Sequence, residues 1–444
     1  MMNKKILSYL LLPLAISACL PVASQAESIP VQRKAVVISR NNRDTKVTSL
    51  SERLEAARKK AKEEASVQSR DRSSEQGRDK KETSQKKEKL GPDVEVGLLS
   101  ASAADITALD DFRAEVNGKT VKKYKNGTRL SISRSGKNVV INGKKMGDKV
   151  YLVTGKTAPS FQVKGNRYRG MMKLIPSTWG TGVTVVNVVP MELYIQGVVP
   201  REIVPTWKID AVKAQAVAAR TYAVYHKNGF RPAGYDVTDD TRSQVYGGVS
   251  AETEATNRAV RETAGEVVTY GGKPIDALFH SSGGGYTENS ENVWGSMVPY
   301  LRGVKEEYTG NPWTKTVSLD SFARSMGIGK LKSISLSKLK IGSSHKAKDR
   351  GISGRVKTID VKGKKGTKTI TGEKMQGMYG LSSTLFDISI KGKNLIIKGY
   401  GYGHGLGLSQ WGAQAMAEKH GDGKDYYKKI LTHYFTGTKI EKLY

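Results

Sequence analysis

One stretch of the chain cannot fold by itself, and it divides the chain into two parts. From Gln68 to Lys89 there is no apolar residue, only Lys, Arg, Glu, Asp, Ser, Gln, Thr and one Gly. Such a stretch has no side chains that could bury a core, so we expect disorder or at best a solvated helix. Together with the residues around it, this composition predicts a charged low-complexity linker over residues 27–92.

The region after the linker has the patterns of a folded domain, which we place at residues 93–444. Val94, Val96 and Leu98 alternate with other residues, which is typical of a strand. Together with the later patterns, this predicts an α+β fold with mostly antiparallel strands and a few helices. We predict strands at 129–133, 139–142, 150–153, 167–174, 183–189, 266–270 and 275–280, and helices at 208–227, 251–264, 319–326, 409–419 and 426–434.

Residues 1–26 predict export. Lys4 and Lys5 are followed by an almost purely apolar run from Ile6 to Ile16, and small residues then continue to Ala26. A charged start, an apolar middle of this length and a small-residue exit are typical of a secretory signal rather than a spanning helix. We therefore expect the protein in the periplasm or cell envelope.

The chain has a single cysteine, Cys19, at the end of the apolar run. The mature domain therefore has no possible disulfide and no thiolate ligand or nucleophile. Residues 16–19 (ISAC) resemble a bacterial lipobox, in which the cysteine is lipidated and anchors the protein to the membrane. In the alternative interpretation, Cys19 is an ordinary apolar residue of a signal that is removed after Ala26.

The charge of the chain indicates the chemistry of its partners. Lys and Arg number 73 against 42 Asp and Glu, a formal net charge of +31. A field of this sign favours polyanions. Export argues against nucleic acid, and leaves anionic wall polymers, peptidoglycan carboxylates and anionic lipid headgroups. Some of this charge serves solubility alone.

Glu202 is the main candidate for catalysis. It lies between Pro200 and Pro205, after an apolar segment that we interpret as the end of a strand and before the predicted helix at 208–227. Nearby apolar groups could raise the pKa of this carboxyl by desolvation, as a general acid requires. Taken alone, the pattern is more often that of a solvated loop residue.

The helix after Glu202 is rich in alanine, which lets other elements approach closely. Lys213 and Arg220 are seven residues apart and share one face, and Gln215 and Tyr222 share another. A buried core helix explains the alanines but does not explain the polar pairs.

Four blocks of sequence resemble one family. They are residues 187–223, which include KAQAVAARTYA, residues 240–248 with SQVYGG, residues 279–301 beginning FHSSGG, and residues 401–413 (GYGHGLGLSQWGA) followed by 433–435. In these blocks the chain resembles the stage II sporulation protein D and amidase-enhancer family (SpoIID/LytB). The blocks are ordered and spread over about residues 94–444.

The resemblance implies an activity and two alternatives. The sporulation members of the family are lytic transglycosylases, which implies cleavage of MurNAc–GlcNAc bonds in denuded peptidoglycan glycan strands. One Glu, which corresponds to Glu202, would act as acid and then as base while the sugar's C6 hydroxyl attacks. The enhancer branch implies instead a non-catalytic partner of a cell-wall amidase, and a third interpretation is a plain glycan-binding module.

The resemblance also implies substrate-binding residues in these blocks. We expect His404 to be either a hydrogen-bond partner in the glycan groove or a structural residue of its Gly-rich turn. Tyr246 and Trp294 are expected either to stack on sugars or to lie in the core. The full set of substrate-binding candidates is Lys213, Gln215, Arg220, Tyr222, Gln244, Tyr246, Ser281, Ser282, Asn292, Trp294, His404, Ser409 and Gln410.

We expect no cofactor and no structural metal. The Gly-rich loop around His404 lacks a Lys at the spacing of a phosphate-binding loop. Some members of the family hold zinc with a His at the position of His280 and nearby cysteines. No cysteine follows Cys19 in this chain, and no suitable ligands lie near His280 in the sequence.

The N-terminus of the mature protein tests the export prediction. We expect mass spectrometry of protein isolated from the producing cells to find no peptide from residues 1–18, because an export signal is removed. An acylated N-terminal Cys19 would identify a lipoprotein, and a free N-terminus at Glu27 an ordinary signal. A mature chain that still begins at Met1 would contradict export.

Overall fold

The computed structural model describes residues 90–154, 158–344, 347–420 and 425–444. The predicted signal and almost all of the predicted linker lie outside the described residues. Within them, no helix is long and apolar enough to cross a membrane.

The described residues confirm an α+β fold with mostly antiparallel strands. Among the described strands, only two pairs are parallel: β1 with β13, and β16 with β23. The strands are β1 (Asp93–Ala101), β2 (Ala103–Ala108), β3 (Phe112–Val116), β4 (Lys119–Tyr124), β5 (Arg129–Ser135), β6 (Asn138–Ile141), β7 (Lys144–Gly147), β8 (Val150–Val153), β9 (Phe161–Val163), β10 (Asn166–Tyr168), β11 (Met171–Pro176), β12 (Val183–Pro190), β13 (Val237–Thr238), β14 (Glu266–Tyr270), β15 (Lys273–Pro274), β16 (Phe279–His280), β17 (Pro312–Ser318), β18 (Leu331–Ser335), β19 (Thr358–Gly363), β20 (Gly366–Thr371), β21 (Phe386–Lys391), β22 (Asn394–Tyr400), β23 (Leu408–Ser409) and β24 (Lys439–Lys442).

The helices lie mainly in the second half of the described chain. Short 3₁₀ turns occur at Arg231–Ala233 and Gly248–Ala251. The α-helices are α1 (Met191–Glu202), α2 (Ile209–Tyr225), α3 (Glu254–Glu262), α4 (Ser290–Trp294), α5 (Leu319–Met326), α6 (Gly372–Tyr379), α7 (Gln410–His420) and α8 (Tyr426–Tyr434).

Two large sheets and several small ones build the molecule. The seven-stranded sheet has the order β13-β1-β12-β11-β8-β3-β4, and the six-stranded sheet the order β10-β9-β2-β5-β6-β7. Strand β12 is central in the first sheet, and all eight of its residues are buried. This explains why six of its eight residues are β-branched, since a strand buried on both faces needs no polar alternation.

The main hydrophobic core includes side chains from both large sheets and from helices α1, α2, α3, α7 and α8. Helix α2 packs against the other four of these helices, so its alanines are explained by close helix packing. A second, smaller core lies within residues 317–397 and is built from β17 to β22 with α5 and α6.

Residues 191–202 are helical, so the interpretation of a strand end and stiff loop at Glu202 was wrong. Val198 and Val199 are fully buried, and this packing outweighs the β propensity of valine. Pro200 lies in the last turn of α1, where it interrupts little of the helix. Glu202 is therefore the last residue of a helix.

The other predicted elements agree in most places with the structure. The predicted helices at 319–326 and 426–434 are confirmed to the residue. Of the predicted strand at 275–280, only Phe279–His280 is extended in a ladder, and the prediction at 167–174 covers two strands, β10 and β11. Helices α4 and α6 were not predicted.

A buried ion pair joins α1, α2 and the C-terminal residue. The guanidinium of Arg220 binds both carboxylate oxygens of Glu192 at 2.8 and 2.7 Å, and the Arg220 side chain is completely buried. The hydroxyl of Tyr444 and the backbone N–H of Gly265 also donate to Glu192. Breaking such a pair leaves an uncompensated buried charge.

We predict that Arg220→Met lowers the free energy of unfolding by about 3–5 kcal/mol, because it leaves the Glu192 carboxylate buried without its cation. Urea unfolding followed by circular dichroism measures the change. Arg258→Ala is the matched control. The Arg258–Glu262 ion pair is on the helix surface, so its loss should leave the unfolding midpoint nearly unchanged. Equal midpoints for the two variants would refute a structural role for the buried pair.

Candidate active site

Glu202 lies at the C-terminal end of α1 and is half-buried. Burial raises the pKa of its carboxyl to about 7, and a hydrogen bond from the backbone N–H of Val245, at 3.1 Å, partly opposes that shift. A carboxyl with this pKa is present in both protonation states near neutral pH. It can therefore give and accept a proton, as acid–base catalysis requires.

The loop that donates this N–H is fixed on both sides of Val245. The Gln244 amide accepts a hydrogen bond from Tyr194 and donates to the carbonyl of Ala219 on α2, each at 3.2 Å. The Tyr246 hydroxyl donates to Asn187 of β12 at 2.9 Å. Both anchors are buried, so they hold the N–H between them at Glu202.

Tyr246 packs directly over α1, and a glycine makes this possible. A Cβ on Gly197 would lie 2.5 Å from the Tyr246 ring, which is too close for any other residue. Tyr246 is only 4% exposed and its ring lies 5.0 Å from that of Tyr194. Tyr246 and Gln244 are therefore buried, and they fix the loop whose Val245 N–H binds Glu202.

A second group of side chains forms around Tyr222 of α2. Tyr222 is half-buried, and its pKa is raised to about 12 by burial, then by the charges of Asp276 and Glu202. Its ring contacts that of His226, with centroids 4.1 Å apart and planes tilted by 36°. The His226 Nε2 lies 2.8 Å from Asp276 Oδ1, so the imidazole and the carboxylate form a pair next to the tyrosine.

Phe279 connects this group to the Gly-rich loop. Its ring lies 6.4 Å from that of Tyr222, and its carbonyl accepts a hydrogen bond from His404 Nε2 at 3.1 Å. The ring of Trp294, which is 49% exposed, lies 5.9 Å from that of His404. A row of contacts thus runs from Tyr222, whose pKa is influenced by the charge of Glu202, to the exposed indole of Trp294.

Both nitrogens of His404 are used within the fold. Nδ1 accepts the backbone N–H of Leu406 at 3.0 Å, so Nε2 carries the proton that it donates to Phe279. Burial, followed by the charge of Arg355, lowers the pKa of His404 to about 4. The imidazole is therefore neutral at physiological pH, and only a ring face is available to a ligand.

The parallel pair β16–β23 brings the third and fourth sequence blocks together. Phe279 pairs with Leu408 and His280 with Ser409. The Ser409 hydroxyl accepts the backbone N–H groups of Gly283 and Gly412 at 3.3 and 3.2 Å. Ser409 therefore ties the two blocks to each other at the start of α7.

The remaining candidates of these blocks differ in exposure. The Ser282 side chain is fully buried and its backbone forms a bridge with Tyr402. Ser281 is half-buried, and its carbonyl accepts the N–H of Trp411 at 3.0 Å. Asn292 is half-buried and donates to Glu288 at 2.9 Å. Ser281 and Asn292 are thus more accessible to a ligand than Ser282.

Two glutamines link the first and fourth blocks. The Gln410 amide donates to Gln215 Oε1 at 3.4 Å. Gln215 is completely buried, and its amide nitrogen has no partner within the described residues. This contact joins α2 to α7, the helix that follows the Gly-rich loop in the sequence.

Lys213 and Arg220 do face the same side of α2, but that side packs on α3 and the region after it. Lys213 forms an ion pair with Glu262 at 2.6 Å. Arg220 is bound by Glu192 and by the carbonyls of Glu266 and Val260. The structure therefore brings neither cation to the row of contacts from Tyr222 to Trp294.

The described residues contain no group of three His, Cys, Asp or Glu side chains that could hold a metal ion. His280 is buried, and its Nδ1 lies 3.1 Å from the carbonyl of Leu406. Burial, with the charges of His404 and Arg355, lowers its pKa well below the ordinary value.

Sequence reasoning missed His226 and Asp276. His226 follows Tyr222 at the i+4 spacing, which puts the two on one face of the helical turn, so a signal for it was available. Asp276 comes from a segment distant in sequence and had been assigned to a strand. Only the folded arrangement shows that it pairs with His226.

Comparison with known proteins agrees with this geometry. The family model described as "Stage II sporulation protein" matches residues 180–270, which contain Glu202 and the loop that orients it. A second model, described as a domain of unknown function, matches residues 305–407, which include the second hydrophobic core.

Three curated proteins are similar over longer ranges. Stage II sporulation protein D of Bacillus subtilis is 35% identical over 280 residues, which are 57% of this chain and 75% of that protein. An uncharacterised protein of Brachyspira hyodysenteriae is 33% identical over 290 residues, 64% of this chain and 75% of that protein. The amidase enhancer of Bacillus subtilis is 35% identical over 297 residues, 55% of this chain but only 40% of that protein.

The chain belongs to the stage II sporulation protein D family. The family resemblance carried by the four sequence blocks is thus confirmed.

We predict that Glu202→Gln increases the free energy of unfolding at pH 8 and that this gain shrinks as the pH falls from about 7 towards 4.5. The folded-state pKa is about 7 and the ordinary value 4.5, so the wild-type protein loses stability as the pH rises from 4.5 to about 7, where the unfolded carboxyl is ionised and the folded one still holds its proton, and the full loss remains above pH 7. Urea unfolding of both proteins at pH 8 and pH 5 measures the difference. A gain that is the same at both pH values would contradict the raised pKa.

Proposed function

We propose that the protein is an exported lytic transglycosylase that cleaves the MurNAc–GlcNAc bonds of denuded glycan strands. The observation that carries the proposal is the state of Glu202, whose pKa is raised to about 7 by burial. A general acid of this kind works best when its pKa lies near the working pH. Membership of a family that includes stage II sporulation protein D supports the same assignment.

In this mechanism Glu202 carries out both proton transfers. It first protonates the glycosidic oxygen while the bond from that oxygen to C1 of MurNAc breaks. The C6 hydroxyl of the same sugar then bonds to C1 and gives its proton to the Glu202 carboxylate. The acid is restored, one strand ends in a free GlcNAc hydroxyl and the other in a 1,6-anhydro sugar, and no water is consumed.

The surroundings of Glu202 favour this reaction over hydrolysis by two carboxyl groups. A retaining glycosidase holds its two carboxyls about 5–5.5 Å apart, and an ionised neighbour at that distance would raise the pKa further. Among the described residues, no second carboxyl contributes to the pKa shift of Glu202. An intramolecular nucleophile from the sugar needs only the one acid.

The row of contacts from Tyr222 to Trp294 offers the glycan a path. Tyr222 is near enough to the acid for the charge of Glu202 to raise its pKa, and the exposed Trp294 offers an aromatic face on which a sugar ring can pack. Ser281 and Asn292 are half-buried near the same row and carry hydrogen-bonding groups suited to hydroxyl and acetamido groups.

A second candidate function is stimulation of a cell-wall amidase without catalysis. The observation that favours it is the similarity to a protein named amidase enhancer. In that case the groove serves to hold the glycan near the amidase, as it also would in a plain glycan-binding module.

The location of the protein forms part of the proposal. The pattern of residues 1–26 favours export to the periplasm or cell envelope, and lipidation of Cys19 would add a membrane anchor. The partners in that compartment are glycan strands and, for the enhancer function, an amidase. Nucleic acid is not a partner there.

We predict that Glu202→Gln lowers the rate of glycan cleavage by at least 10²–10⁴-fold, because glutamine keeps the shape and a hydrogen bond but cannot deliver a proton. The wild-type rate should also fall as the pH rises through about 7, where the acid loses its proton. Mass spectrometry of 1,6-anhydro products from denuded strands measures both effects.

Glu254→Gln, on the exposed surface of α3, is the control and should cleave at the wild-type rate. Equal cleavage by wild type and Glu202→Gln would show that the acid is misassigned. If neither protein cleaves and both stimulate an amidase equally, the enhancer function replaces the transglycosylase.

A further inference from the structure

A recess next to the loop that orients Glu202 has no role in the function proposed so far. It has a volume of about 620 Å³, within the range of pockets that bind small ligands. Its wall is formed by β1, by the turn between β9 and β10, by the β11–β12 turn and by residues 230–242. Every residue that lines it is among those the structure describes.

One side of the recess carries the most exposed large hydrophobic side chain of the described chain, Trp179, which is 73% exposed. The turn beneath it is held firmly. Arg134 donates to the carbonyls of Ser177 and Gly180 at 3.0 and 2.8 Å, and the Ser177 hydroxyl accepts the N–H of Trp179 at 3.2 Å. An indole kept in solvent by a braced turn is costly unless a ligand covers it.

The floor of the recess is also aromatic. The ring of Tyr235 stacks on Phe230 with centroids 5.6 Å apart and planes at 18°. It lies against β1 at Gly97, where a Cβ would be 2.7 Å from the ring. Glycine at this position in a central strand is unfavourable by itself, and here it makes room for the flat tyrosine face.

Polar groups surround these aromatic faces. Burial raises the pKa of Asp239 to about 6, partly offset by the charge of Lys164. Arg242 binds both carboxylate oxygens of Asp240, with Nε 3.0 Å from Oδ1 and Nη2 2.9 Å from Oδ2. Carboxylates that accept hydroxyl protons, beside aromatic faces, form a combination suited to a sugar ring.

The recess and the catalytic carboxyl share one loop. Asp239 lines the recess, its carbonyl accepts the N–H of Tyr246 at 3.1 Å, and the preceding N–H, of Val245, binds Glu202. Burial raises the pKa of the Tyr194 hydroxyl, and the charges of Tyr246, Glu202, Tyr222 and Asp239 raise it further. One loop thus connects the recess to Glu202.

We propose that the recess bounded by Trp179, Tyr235 and Asp239 is a separate glycan subsite, which binds an N-acetylhexosamine ring of the strand that is cut at Glu202. The inference rests on the proposed function for the identity of the strand. In the subsite the indole and phenol faces cover the sugar ring, while the Asp239 carboxylate accepts hydrogen bonds from its hydroxyl groups. The subsite makes binding depend on sugars away from the scissile bond, which favours longer strands.

The test uses the full mature chain carrying Glu202→Gln, so that binding is measured without cleavage. Chitotetraose, a soluble tetramer of N-acetylglucosamine, is titrated while the indole N–H signals of the five tryptophans are followed by ¹⁵N NMR. We expect the Trp179 signal, assigned by its loss in Trp179→Phe, to shift with saturation. Trp179→Ala should weaken binding by about 3- to 10-fold, as expected for one lost aromatic face.

Two further variants separate the subsite from general effects. Gly97→Ala displaces the Tyr235 ring and should weaken binding although Trp179 is intact. Tyr270→Ala removes an exposed aromatic residue of β14 that does not line the recess, and should leave affinity unchanged. A Trp179 signal that stays fixed while that of Trp294 shifts, or while no signal shifts, would overturn the subsite.

The same measurements distinguish this inference from the proposed function. If wild-type protein cleaves strands but Trp179→Ala binds chitotetraose as tightly as its parent, the subsite is rejected and the transglycosylase stands. If wild-type protein cleaves nothing but the Trp179 signal shifts and Trp179→Ala weakens binding, the subsite stands and the catalytic assignment is lost.

Discussion

The geometry of the candidate site depends on the buried ion pair between Glu192 and Arg220. Glu192 is in the first turn of α1, the helix that ends at Glu202, and Arg220 precedes Tyr222 on α2 by half a turn. The pair therefore fixes the two helices that carry the acid and its neighbouring tyrosine. Because the pair also binds Gly265 and Tyr444, it connects the site to the C-terminal strand region, and its cost of desolvation is offset only when all of these contacts form.

A second constraint attaches the smaller core to the main one. The Glu288 carboxylate, before α4, accepts the N–H groups of Ile352 and Ser353 at 3.0 and 3.1 Å and the Ser353 hydroxyl at 2.6 Å. Arg355 reaches back to the carbonyl of Gly283 at 3.3 Å. Glu288 also holds Asn292, so the segment that carries Trp294 is positioned by a residue that is bound to Ile352 and Ser353 as well.

Local sequence patterns predicted much of the fold. The elements that they did not predict depend on contacts between residues far apart in the sequence. Periodicity and turn residues identified helices such as Leu319–Met326 because the pattern is contained within the element. Helix α1 was misread because its valines and proline favour other conformations, and burial against α2 and the sheets determines its state. For the site, Glu202 could be identified from the family motif, whereas the structural roles of Arg220, Gln244 and Tyr246 depend on partners 25 to 59 residues away in the sequence.

The electrostatics of Glu202 bear on the choice between catalysis and simple binding. A module that only holds a glycan or an amidase gains nothing from a carboxyl whose pKa is raised to about 7, since the ionised form is penalised by burial. Here α1, α2 and a loop anchored on both sides of Val245 keep the Glu202 carboxyl buried. Strained or costly groups that the surrounding fold holds in place are typical of functional sites. The physical cost of the buried acid therefore favours a protein that uses its proton.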